Sequence, residues 1–225
     1  MRISELSRAS GIPIPTIKWY LREGLLQPGT PTAPNQADYG PAHLHRLRLV
    51  RTLVEVGGLA TPAVRAVLDA IDDDELPTHE LLGLAHHALG PPPDTRPVPD
   101  DVARARAEVD RFLAELGWWV SEGAPARRAL ADALASLWRL GREAGAEVFA
   151  PHAEAADRLA AGELERLPAD APRAEIVERS VVGTVVFEAA LVALRRLAQE
   201  HHSARRAARV EHPPADDERA GGGLR

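Results

Sequence analysis

The sequence predicts an all-α protein with one short β-hairpin, divided into a small N-terminal module and an all-helical second half. Three observations predict it. Apolar residues recur at helical spacing along most of the 225 residues; the stretch from Leu25 to Gly40 breaks that period with Pro28, Gly29, Pro31 and Pro34; and prolines crowd the stretch from Gly90 to Pro99. A chain of this length buries ample core, so covalent or metal staples are not needed for stability. It contains no cysteine, which excludes disulfides, zinc–thiolate sites, iron–sulfur clusters and a cysteine nucleophile. No apolar run approaches the roughly 20 residues that span a membrane. Met1-Arg2-Ile3-Ser4-Glu5 opens a periodic segment rather than a signal core, so the expected location is the cytoplasm, with no membrane partner.

The elements follow in order. Ile3, Leu6 and Ala9 share one helical face until Gly11, and a second helix runs from about Pro15 to Glu23, with Ile17 and Leu21 four apart and Gly24 as its cap. Residues 25–40 then read as a short hairpin or extended loop. Pro41 suits the first turn of a helix that turns Leu44, Leu47, Val50, Leu53 and Val54 inward and stops at Gly57-Gly58. Thr61-Pro62 opens another helix, with Val64, Val67, Leu68 and Ile71 on one face. These residues, 1–74, form the first module. Residues 75–100 hold a short helix (about 78–89) and a proline-rich linker. Helical patterns at about 101–121, 125–142, 144–163 and 174–209 make up a second domain, 101–210, and 211–225 reads as a disordered tail.

Charge separates the same regions. Residues 1–53 carry seven basic and three acidic side chains, net +4, which leaves −10 for the remainder of a chain whose total is −6. A basic end on an acidic body points to a polyanionic partner for that end alone. Two short helices joined at Gly11-Ile12-Pro13, then a hairpin, then two helices describe a winged helix-turn-helix. The run Gly11-Ile12-Pro13-Ile14-Pro15-Thr16-Ile17-Lys18-Trp19-Tyr20-Leu21-Arg22-Glu23-Gly24-Leu25-Leu26 resembles the signature of the MerR family of transcription regulators, and Asn35–Tyr39 with His43–Leu47 resembles its wing end and following helix. The resemblance covers about residues 2–72.

The second helix, with Thr16, Lys18, Trp19 and Arg22 on its exposed face, can lie in a major groove while Ile17 and Leu21 pack inward. Lys18 can reach a phosphate or a guanine edge, without the bidentate fork of the family's usual arginine. Trp19 and Tyr20 can pack on sugar-phosphate or fill the core. Arg46, Arg48 and Arg51 are candidate phosphate contacts, or ordinary solvated positions. Asn35 and Tyr39 are candidate wing contacts, and Asn35 also suits a turn. One departure concerns the wing: the family's arginine two positions before the tyrosine is Ala37 here, with Asp38 beside it. The resemblance implies a homodimer on a palindromic element of double-stranded promoter DNA, distorting it for RNA polymerase holoenzyme. Residues 174–209 are the leading dimerisation segment.

The helical half holds six of the nine aromatics: Phe112, Trp118, Trp119, Trp138, Phe149 and Phe187. They are candidates to line an effector pocket for an apolar or aromatic molecule, or to fill a bundle core. The paired histidines, His86-His87 and His201-His202, lack the i, i+4 spacing of helical metal ligands, so no metal and no cofactor is expected. No phosphate loop, serine elbow or spaced carboxylate–histidine set favours an enzyme. The alternative to a ligand-responsive regulator is a DNA binder, ligand-independent or controlled by a protein partner, whose helical half only dimerises.

Overall fold

The computed structural model describes residues 1–34, 36–73, 78–90, 98–168 and 170–211. Residues 91–97 of the linker expected over 90–99, residues 212–225 of the tail expected over 211–225, and Asn35 lie outside the described residues. The chain divides into two compact units, 1–185 and 186–225.

In the first unit, α1 (Ile3–Ser10) and α2 (Ile14–Arg22) precede an antiparallel hairpin of β1 (Thr30–Ala33) and β2 (Gln36–Asp38). Thr30 sits opposite Asp38 and Pro31 opposite Ala37, with an irregularity before Ala33 pairs with Gln36. Then come α3 (Pro41–Glu55), α4 (Thr61–Asp72) and α5 (Thr78–Leu89). Prolines occupy the first turns of α3 and α4, where a missing N–H costs no helical bond. Most of the apolar face predicted for each helix is buried, with Leu6, Ile17, Leu47, Val50, Leu53, Val64 and Val67 fully enclosed. Ala9 and Val54, expected inward, are exposed because they lie at the edge of their helices' apolar arcs.

That core contains a contribution the periodicity did not assign to it. The long C-terminal helix α9 (Arg173–Glu211) sends Val177, Val181 and Val185, one per turn, into the same cluster as Leu6 and Val64. The segment expected to serve dimerisation over 174–209 is therefore committed to intramolecular packing in its first turns. The fit is close: a Cβ on Gly57 would stand 2.9 Å from Val185 Cγ1.

A separate core joins α6 (Asp100–Glu115), α7 (Pro125–Arg139) and a 3₁₀ turn (Ala146–Phe149) through Val102, Ala105, Val109, Phe112, Ala131, Leu134 and Ala146. Both helices stop short of the expected ends at 121 and 142. Trp118 N–H donates to the Leu113 carbonyl at 3.1 Å and Arg142 N–H to Leu137 at 3.0 Å, reversals across Gly117 and Gly141 that satisfy the last carbonyls. The helix expected over 144–163 is split into that 3₁₀ turn and α8 (Ala150–Glu165), because Pro151 has no N–H to continue a helix from the residues before it.

The second unit, over its described residues, is the rest of α9. Its described side chains, 186–208, are exposed, including Phe187, Leu191, Leu194 and Leu197. Among the described residues no helix is long and apolar enough to cross a membrane.

Candidate nucleic-acid interface

The interface begins at the turn between α1 and α2. Gly11 adopts φ 70°, a conformation an L side chain enters at a cost, and its N–H donates to the Ser7 carbonyl at 2.9 Å. The Ser7 hydroxyl donates to the Ile12 carbonyl at 2.6 Å, and Ile12 N–H donates to Ser10 Oγ at 3.2 Å. These bonds fix the angle at which α2 leaves α1. Ile17 and Tyr20 anchor α2 from below. Its far end is held from α4, where Arg65 Nη2 donates to the Glu23 carbonyl at 2.6 Å and lies 3.2 Å from its carboxylate.

Held this way, α2 turns Lys18 and Arg22 outward, with Thr16 and Trp19 half-buried beside them. Lys18 and Arg22 stand four residues apart on one face, and neither has an ion-pair partner among the described residues. Such uncommitted cations on a rigid helix can take phosphate oxygens or guanine edges.

Comparison with known proteins agrees with this geometry. Residues 1–71 match the family described as MerR HTH family regulatory protein. The crystal structure of SCO5550 from Streptomyces coelicolor A3(2), a candidate transcriptional regulator, is 41% identical, aligns over 92% of this chain and 97% of its own, and superposes with a TM-score of 0.67. The chain belongs to the MerR family. It is a DNA-binding transcription regulator. No curated protein sequence matches it.

Within this MerR-family module the candidate contacts separate into two groups. Tyr20 and Tyr39 are 7% and 8% exposed, built into the core. Burial raises the Tyr20 phenol above its ordinary pKa, with the Glu55 carboxylate adding to the effect and Arg51 opposing it. The Tyr39 ring meets His43 edge-on, and His43 Nδ1 in turn accepts from Gly40 N–H at 3.0 Å, closing the first turn of α3. Arg46 is paired with Asp72 on α4, and Arg51 bridges Glu55 at 2.8 Å and the Ser10 carbonyl at 3.4 Å. Arg48 is exposed, and its guanidinium has no partner among the described residues.

Sequence reasoning missed two basic residues. Arg2 donates to Thr32 Oγ1 at 2.9 Å and lies 3.8 Å from the Asp38 carboxylate, so a guanidinium reaches the wing although Ala37 replaces the family's arginine. Arg8 is exposed on α1, also without a partner among the described residues. The Arg2 contact joins residues about 30 apart in the chain, and no local pattern announces it.

The six aromatics of the helical half take different places. Phe112 is buried in the α6–α7 core, with Trp118, Trp138 and Phe149 packed against it. Trp138 donates from Nε1 to the Ala144 carbonyl at 2.7 Å and carries Arg104 over its ring at 3.9 Å. Trp119 is fully exposed, and Phe187 belongs to the second unit. The first unit also contains a cavity of 1240 Å³, lined by none of the six. Among the described residues no group of three or more His, Asp or Glu side chains has metal-holding geometry.

Proposed function

We propose that the chain binds a palindromic promoter element as a homodimer, with α2 in the major groove and Thr16, Lys18, Trp19, Arg22 and Arg48 at the DNA. The observation that carries this reading is the pair of exposed cations, Lys18 and Arg22, without ion-pair partners among the described residues, on a helix fixed at both ends. Arg2 and Arg8 add charge from the wing and α1. Arg46 joins them only if its pair with Asp72 opens, and Tyr20 and Tyr39 support the interface from within.

Dimerisation is supported by the free part of α9. Phe187, Leu191, Leu194 and Ala198 recur at alternating four- and three-residue steps, the spacing of a coiled-coil seam, and the three large side chains are 46–61% exposed. A second copy of the same helix would cover that seam. Two winged modules held together in this way can distort the DNA between half-sites, at a cost on the order of a few kcal/mol offset by phosphate contacts. That distortion is how the dimer would realign a promoter for RNA polymerase holoenzyme.

In vitro selection of random duplexes by the full chain tests the proposal. An enriched inverted repeat is expected. A single, non-repeated half-site would refute the dimer, and no enrichment would refute groove reading by α2.

A further inference from the structure

The cavity in the first unit has four walls from separate parts of the chain. Leu59, Pro62 and Ala66 line it from α4 and the turn before it, Leu89 from the end of α5, Arg106 and Asp110 from α6, and Pro125 and Arg127 from the start of α7. Its volume of 1240 Å³ exceeds the roughly 300–1,000 Å³ of ordinary small-molecule sites, so it admits such a molecule with water to spare. The α5–α7 wall is closed by direct approach: a Cβ on Gly90 would fall 2.4 Å from Pro125 Cβ.

The lining is apolar except for a few charges. Three arginines, Arg106, Arg127 and Arg128, and two carboxylates, Asp110 and Glu122, lie in the lining. Arg127 bonds Asp110 Oδ1 at 2.7 Å and the Val120 carbonyl at 2.6 Å, and its buried Nε–H has no acceptor among the described residues. Arg128 lies 3.6 Å from Asp132. Arg106, half-buried on α6, has no hydrogen-bond or ion-pair partner among the described residues. Among the described residues, a half-buried guanidinium with no ion-pair partner and a buried donor with no acceptor line one cavity, and both can bond an anionic group.

We propose that this cavity binds a small, mostly apolar molecule bearing one anionic group, with Arg106 as its anchor, and that occupancy is read out at the DNA. The second clause rests on the regulator reading above. The route is short. Helix α4 supplies the Pro62 and Ala66 wall and also Arg65, which grips the end of α2 at Glu23. A ligand that wedges α4 against α7 therefore changes the support of the recognition helix. The effector site placed on the six aromatics is replaced, in this proposal, by a cavity that contains arginine and proline instead.

The probes are 1-anilinonaphthalene-8-sulfonate and its neutral counterpart N-phenyl-1-naphthylamine, titrated by fluorescence into the full chain. The sulfonate is expected to bind the wild-type chain. Arg106→Gln should weaken it about 10-fold or more and leave the neutral probe unchanged, while Arg106→Lys retains most of the affinity. Ala66→Trp, at an exposed position of α4 where a bulky ring need not disturb the core, should exclude both probes. Sulfonate binding that survives Ala66→Trp would place the probe elsewhere, the α9 seam included, and overturn the site. Equal loss of both probes in Arg106→Gln would overturn the anionic anchor. Saturating sulfonate should shift the affinity of the wild type for its selected duplex but not that of Ala66→Trp, and an unshifted wild type would overturn the coupling. Duplex binding without probe is measured alongside. A chain that binds DNA but no probe refutes the cavity alone, and one that binds the probe but no DNA refutes the regulator reading.

Discussion

Replacing Val181 by alanine separates a helix that merely emerges from the module from one that completes its core. Val181 has no exposed surface and lies in the cluster with Leu6, Val64 and Val67. The substitution removes two carbons, each worth about 0.8 kcal/mol of transfer free energy. The space left behind adds to the loss, because packed surroundings relax only partly. Alanine's better helix propensity returns up to about 0.6 kcal/mol. The net is a destabilisation of about 1.5–3 kcal/mol. In a chain of this size each kcal/mol lowers Tm by roughly 2–4 °C, so calorimetry should record a fall of about 3–12 °C. Val54→Ala is the control, since Val54 also lies on a helix of the module but is 39% exposed; it should stay within about 0.5 kcal/mol of the wild type. Equal melting of the two variants would refute the packing of α9 into the module.

Lys18→Ala should weaken duplex binding and reduce the slope of log K against log salt by about one if Lys18 contacts phosphate; an unchanged slope and affinity would remove it from the interface. Leu191→Glu with Leu194→Glu should convert a dimer in sedimentation to a monomer with the module's melting transition intact, and a persisting dimer would place the interface elsewhere. Asp101 accepts a 2.7 Å hydrogen bond from Arg139 Nε, which, with a lesser one from Val102 N–H, holds its carboxyl below the usual range. Because the folded pKa is depressed, the stabilisation is present above the unfolded value of about 3.9 and is lost as pH falls through the folded one. Asp101→Asn should therefore flatten the acid limb of the stability profile, and an unaltered limb would refute the role of this pair.

The sequence by itself determined the local elements and the identity of the module. The Gly11-Ile12-Pro13 turn, the inward faces of α3 and α4 and the proline-opened helices depend on residues within a few positions of one another, and hydrophobic period and turn chemistry report those directly. The outward placement of Lys18 and Arg22 followed from the same period. Tertiary structure decided what those patterns cannot encode. Val177, Val181 and Val185 present an apolar stripe that suits a helix–helix interface and a module core alike, and only their burial in the cluster that also holds Val64 and Leu6 chose between them. Arg2 reaching the wing, Arg46 meeting Asp72 and Arg65 holding Glu23 each join residues 26 or more apart. The cavity was invisible for the same reason: its walls come from α4, α5, α6 and α7, and an empty volume has no residue of its own to leave a mark in the sequence.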